Sequence, residues 1–252
     1  MSRTADHERT VRHVVDRPYT LLSCGMSIDG YLDSPGIRRL QLSNAADFDR
    51  VDAVRAGCDA ILVGAATVRN DDPRLLVRSP DRRRERLRHG LPPSPAKVTL
   101  TRCGDLAPEA SFFTCGDGEK LVYCPDAAAG STRRRLGPAA TVVDTGPGED
   151  VDVGRVVEDL SARGVDRLMV EGGGVVFTQF LTADLADELH LVVAPLFVGD
   201  SRAARVVGDG RFPWNPDRRA ELVGVRQIGD VVLLRYALSA RFGAEPSPGE
   251  GQ

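Results

Sequence analysis

The chain has 252 residues, 42% hydrophobic and 27% charged, with 33 Lys and Arg against 36 Asp and Glu for a formal net charge of −3. This is the make-up of an ordinary globular chain, and it offers no basic footprint for nucleic acid. No run of 18 apolar residues exists to span a membrane, and residues 1–18 lack the apolar centre of a secretory signal, so a cytoplasmic protein is expected.

Residues 1–17 read as a flexible N-terminal arm. "YTLLSCGMSI" (19–28) predicts a strand, closed by an Asp-Gly turn and a Pro-Gly loop. "SNAADFDRVDAVRAG" (43–57) predicts a helix capped at Ser43 or Asn44, with acids in its first turns, Arg55 in its last and Gly57 as its stop. "CDAILVGAATV" (58–68) is a second strand running into a turn and a short helix. Residues 70–96 read mostly as loop, with the Arg-rich "RSPDRRRERLRHG" (78–90) a solvated, mobile stretch. Short strands follow at 96–101, 120–124 and 140–144, and a helix at 151–164. Arg167 to Val170 form a buried strand that ends in Glu171 and three glycines. Val175 to Leu181 then carry apolar residues at helical spacing. "DELHLVVAPLFVG" (187–199) predicts a long strand broken by Pro195, and 220–238 a hairpin about Gly229-Asp230. The tail 241–252 reads as disordered. The order predicts an α/β fold with a mixed, mostly parallel central sheet flanked by helices and antiparallel edges, as one domain over 18–240.

The sites of such folds lie at the carboxyl ends of their strands. Gly25, Gly64 and Gly172-Gly173-Gly174 stand there, and glycines opening a helix suit a phosphate. Asp71 and Asp72 precede Pro73 in a turn, and Arg74, Arg78 and Arg55 are natural partners for a phosphate ester. There is no G-x-G-x-x-G, no G-x-x-x-x-G-K-[ST] and no G-x-S-x-G. Five cysteines without a C-x-x-C and four scattered histidines imply neither disulfide framework nor metal.

Taken together, "RPYTLLSCGMSIDGYL", "VRAGCDAILVGAATVRNDDPRLLVRS" and "LMVEGGGVVFTQFLTADLADELHLVVAPLFVG" resemble the pyrimidine reductase family of riboflavin biosynthesis, over roughly residues 17–238. That family is found as the C-terminal half of a bacterial bifunctional deaminase/reductase and as a free-standing enzyme. The resemblance implies a dihydrofolate-reductase-like fold, a homodimer, NADPH as cofactor and 5-amino-6-ribosylamino-pyrimidinedione 5′-phosphate as substrate, its ribose reduced to a ribityl chain. Carried over by position, Gly25, Gln41, Ser43, Thr67 and Asp71 line the cofactor site. Gly172, Gly173, Gly174, Val175, Val176, Phe177, Thr178 and Gln179 hold the pyrophosphate. Arg55, Leu75, Arg78 and Glu171 face the substrate, with the arginines at its phosphate. Arg102, just after a strand, is placed to meet a 2′-phosphate, and Asp71 is the expected proton donor.

Two positions depart from the bifunctional enzymes, with Ser23 in place of a Lys and Gln41 in place of a Trp. They raise the alternative of a paralogue reducing another heterocycle such as dihydrofolate. A non-catalytic NADPH-binding protein is a third reading, opposed by the substrate-facing arginines. No zinc-deaminase half precedes the domain, so deamination is expected from another protein.

Overall fold

Short runs rich in Val, Ile and Leu alternate with helices along most of this chain, and in the computed structural model they assemble into one nine-stranded sheet. The structure describes residues 17–35 and 40–243. The expected arm lies outside these residues except for Arg17, and the expected tail except for 241–243. The first half comprises β1 (Tyr19–Ser27), α1 (Ala45–Ala56), β2 (Ala60–Gly64), α2 (Ala65–Asp71), α3 (Pro80–Arg88), β3 (Ala96–Leu100), α4 (Ser111–Thr114) and β4 (Lys120–Cys124). The second comprises α5 (Asp126–Leu136), β5 (Thr141–Asp144), α6 (Val153–Ala162), β6 (Arg167–Gly172), α7 (Gly174–Thr182), β7 (Glu188–Ala194), β8 (Glu221–Ile228) and β9 (Val231–Ala237).

The strand order is β5-β4-β3-β2-β6-β1-β7-β9-β8. Every pair from β5 to β7 is parallel, and β9 and β8 close one edge antiparallel, as expected. Alternation along each strand feeds two cores. In β2, Ala60 and Leu62 join the cluster packed by α6 and α7, where Phe177 and Phe180 are at most 1% exposed. Ile61 and Val63 join the opposite cluster with Val68, Phe112 and Met169. Each large side chain buried in this way contributes about 1.5–3 kcal/mol.

The structure corrects three expectations. The Arg-rich segment is not a mobile loop. It forms α3, opened by Ser79 as cap and Pro80 in the first turn. Its chemistry holds it: Arg86 donates to the carbonyls of Ala56, Cys58 and Pro92, and Arg82 pairs with Asp52 on α1. Residues 126–136, given no element from the sequence, form α5 on a stripe of buried Ala128, Ala129, Thr132 and Leu136. The strand expected over 187–199 ends at Ala194, because beyond Pro195 the N–H groups of Val198 and Gly199 turn to donate to the Asp29 carboxylate.

At the β7–β9–β8 edge, one face of the sheet stays partly open among the described residues. Val193 pairs with Val232, Leu191 with Leu234 and Leu234 with Val225, so these side chains share a face. Leu222, Val225 and Val232 are 51%, 61% and 38% exposed there.

Candidate functional site

The carboxyl ends of β4, β3, β2, β6 and β1 border one groove of about 2230 Å³. The helices above them differ in how they begin. α1, α3 and α6 are capped by the side chains of Asn44, Ser79 and Asp152. α2, α5 and α7, which leave the groove-side ends of β2, β4 and β6, have no side-chain cap. Their first N–H groups lack intrahelical acceptors, and their dipoles put partial positive charge at the groove.

Glycines let these parts meet. A side chain at Gly64 would reach within 3.0 Å of Val176, and one at Gly25 within 3.3 Å of the Leu42 backbone oxygen. At Gly174 it would overlap the carbonyl oxygen of Arg205, because residues 203–208 cross over the start of α7 as a strap. Leu32 N–H donates to Ala204 (2.7 Å), Val206 N–H to Gly30 (3.2 Å), Gly208 N–H to Thr178 Oγ1 (2.9 Å) and an Arg205 Nη to the Tyr31 hydroxyl (3.0 Å). Gly173 is different, since a Cβ there meets only Thr67 Oγ1 at 3.6 Å. It faces open groove.

Gly25, Gln41, Ser43, Arg55, Thr67, Asp71, Leu75, Arg78, Arg102 and Glu171 all border this groove, as do residues 172–179. Their contacts refine their parts. Arg55 Nε and Nη2 donate to the two Glu171 oxygens at 2.6 and 2.5 Å, and Nη1 donates to the Leu76 carbonyl at 3.3 Å. Burial works against the Arg55 charge, yet Glu171 more than offsets it and holds the pKa above its usual value. Arg55 reaches the groove as the partner of Glu171. Arg78 lies over the Phe48 ring, 5.5 Å from its centroid, with no carboxylate on its guanidinium among the described residues. Leu75 sits at φ 48°, a costly conformation for a branched side chain, and is only 3% exposed. Asp72 ends α2 at φ 42° and accepts from the N–H and hydroxyl of Ser111, which anchors this loop. Arg102, largely exposed, pairs with Asp150 at 3.1 Å.

Two further groove residues, Asp47 and Arg50, were not singled out in the sequence. Ser43 donates to Asp47 (2.5 Å), Asp47 accepts from Arg50 (2.5 Å), and Arg50 donates to His190 Nδ1 (3.2 Å), whose other nitrogen meets Glu188 at 2.7 Å. This chain joins α1 to β7 across 140 residues, and no local pattern announces it. The strap lies in a stretch without periodicity. Cys24 borders the groove, but burial pushes its thiol up to about 12, so it is no nucleophile at neutral pH. Among the described residues no group of three His, Cys, Asp or Glu is placed to hold a metal, and no helix is long and apolar enough to cross a membrane.

Residues 18–234 match the family described as RibD C-terminal domain. The chain is 32% identical over 227 residues to a 2,5-diamino-6-ribosylamino-4(3H)-pyrimidinone 5′-phosphate reductase of Archaeoglobus fulgidus, covering 90% of this chain and 99% of that protein. A protein of the same name from Methanothermobacter thermautotrophicus is 29% identical over 223 residues, 88% and 99% of the two chains. Among solved structures, a diaminohydroxyphosphoribosylaminopyrimidine deaminase/5-amino-6-(5-phosphoribosylamino)uracil reductase from Thermotoga maritima superposes with a TM-score of 0.68 at 22% identity, covering 88% of this chain and 56% of that one. A pyrimidine reductase-like protein from Corynebacterium diphtheriae gives 0.67 at 20% identity, covering 88% and 92%. At these identities the two structures speak for the fold.

Proposed function

The chain belongs to the RibD C-terminal domain family, and on that premise we propose that it is an NADPH-dependent reductase of a ribosylaminopyrimidine 5′-phosphate in riboflavin biosynthesis. The observation that carries this reading is that identity of 32% runs over 99% of a protein named for that reaction. Both relatives named above act on the 2,5-diamino-pyrimidinone. We assign that form to this chain ahead of the pyrimidinedione, from which it differs by an amino group in place of a carbonyl. A carboxylate at Glu171 accepts from an amino group and has nothing to donate to a carbonyl.

The groove fits the cofactor. The uncapped start of α7, the open space beside Gly172 (φ 143°) and the light contact at Gly173 leave room for a pyrophosphate against backbone N–H groups. NADPH, when bound, supplies the hydride. Gly25, Gln41, Ser43 and Thr67 line its remaining length with residues 175–179, and Arg102 meets the 2′-phosphate by leaving Asp150. On the substrate side Arg78 holds the 5′-phosphate, Leu75 packs beside it, and Arg55 fixes Glu171 against the heterocycle. Reduction places a hydride on the sugar carbon that bears nitrogen and a proton on the departing ring oxygen or the nitrogen. Asp71 is assigned that proton. The chain contributes position more than covalent chemistry.

The same reading takes the protein to be a cytoplasmic homodimer that pairs through the partly open apolar face of β7, β9 and β8. The exposure of Leu222, Val225 and Val232 supports that pairing. The deciding assay offers the purified protein NADPH with the diamino-pyrimidinone, the pyrimidinedione or dihydrofolate. Oxidation with a pyrimidine and not with dihydrofolate is expected. Oxidation with dihydrofolate alone, or with none, refutes the assignment.

A further inference from the structure

Seven arginines lie between residues 74 and 88. Four of them are satisfied within the protein. Arg82 pairs with Asp49 and Asp52, Arg84 with Asp81, Arg88 with Glu85, and Arg86 donates to three carbonyls. The other three, Arg74, Arg78 and Arg83, have no carboxylate or carbonyl on their guanidinium groups among the described residues. Those three, and none of the four, border the groove.

Of the three, Arg83 combines partial burial with a rigid support. It sits one turn into α3, its N–H donating to Ser79, the residue whose hydroxyl caps the helix. Asp52, 3% exposed, receives the N–H groups of Arg78 and Ser79 together with Arg82, and so fastens this turn to α1. Arg78 and Arg83 therefore flank one immobilised turn, and both border the groove. The nearby acids Asp49 and Asp52 are already answered by Arg82 and leave the charge of Arg83 uncompensated. A half-buried guanidinium has given up part of its hydration, and an anion arriving in the groove restores the lost interactions. A phosphate monoester has three terminal oxygens, enough for two guanidinium forks.

We propose that Arg83 is a second phosphate-binding residue, gripping the 5′-phosphate of the substrate together with Arg78, so that α3 is a substrate-recognition wall. The inference rests on the phosphate-ester substrate assigned above. Its test compares Arg83→Gln with Arg84→Gln, which removes the same charge from the adjacent position outside the groove. Arg83→Gln should raise KM for the phosphorylated pyrimidine roughly tenfold or more, leaving kcat and the NADPH Kd near wild type. It should leave turnover of the dephosphorylated pyrimidine unchanged, and Arg83→Lys should recover part of the loss. Arg84→Gln should match wild type throughout. Equal losses with and without the phosphate, or no loss, overturn the role. Calorimetric binding of ribose 5-phosphate separates this failure from failure of the substrate assignment. If the wild type reduces no pyrimidine, weaker ribose 5-phosphate binding by Arg83→Gln than by Arg84→Gln still upholds the anion site. Equal binding by the two rejects it.

Discussion

Gly173→Ala and Gly174→Ala differ by one position and should fail in different ways. At Gly174 a methyl group overlaps the Arg205 carbonyl oxygen and lies 3.5 Å from that of Val206, so the strap has to lift. Four hydrogen bonds tie it to Leu32, Gly30, Thr178 and Tyr31, and lifting its middle breaks about two. At about 1 kcal/mol net for each, the loss is about 2 kcal/mol. A chain of this size loses about 2–4 °C of Tm per kcal/mol, which gives a fall of roughly 4–8 °C. At Gly173 the backbone (φ −51°, ψ 172°) suits any residue, and the methyl meets only Thr67 Oγ1 at 3.6 Å. Its melting should move by less than half as much, the cost of alanine at a helix cap. Its NADPH Kd should rise by roughly tenfold or more if the proposed cradle is right, since the methyl would then take space assigned to the pyrophosphate. Scanning calorimetry of the ligand-free proteins and titration with NADPH read the two effects separately. Wild-type affinity in Gly173→Ala would falsify the cradle. An unshifted melt in Gly174→Ala would remove the strap from the account.

Three further outcomes are expected. Lys97 is 1% exposed, donates to the carbonyls of Phe112 and Cys115, and burial lowers its pKa from 10.5 to about 8. The unfolded chain thus binds the extra proton between those values, so stability rises with pH from about 8 towards 10.5, by on the order of 3 kcal/mol. Melting curves of wild type and Lys97→Met across that range should converge or cross by that amount, and a constant difference would contradict it. Arg102→Ala should narrow the preference for NADPH over NADH, and Asp150→Asn should widen it by freeing Arg102; unchanged ratios from calorimetry argue against both. Light scattering at micromolar concentration should give twice the chain mass, and Val225→Glu with Val232→Glu should return the monomer; a wild-type monomer defeats the pairing.

The sequence and the structure agree best where chemistry is local. Asn44, Gly57 and the Gly229-Asp230 turn announced α1 and the β8–β9 hairpin, because caps and turns act over three or four residues. α3 carried the same punctuation in Ser79, Pro80 and Asp81, yet it has almost no apolar stripe. Its pairs with α1 and its own Glu85–Arg88 and Glu85–His89 contacts hold it instead. α5 hides its stripe in alanines and a threonine. The glycines at strand ends located the groove. The Arg55–Glu171 pair was not legible, since 116 residues separate its members and each reads alone as a substrate contact.

The place of β1 has a consequence for synthesis. It lies between β6 and β7, with Tyr19 beside Arg167 and Leu21 beside Glu188. β2, β3, β4 and β5 adjoin in the order in which they leave the ribosome and can pair as they emerge. β1 emerges before any of them, yet both of its neighbours come more than a hundred residues later. Until then Leu21 and Leu22, wholly buried in the finished protein, have no sheet to enter. Such long-range pairing slows folding and prolongs the exposure of sticky intermediates. Shortening the chain at its far end should therefore evict its beginning: a nascent chain stopped before residue 188 holds α7 and its glycines but leaves β1 open along one side, and protease should find it there.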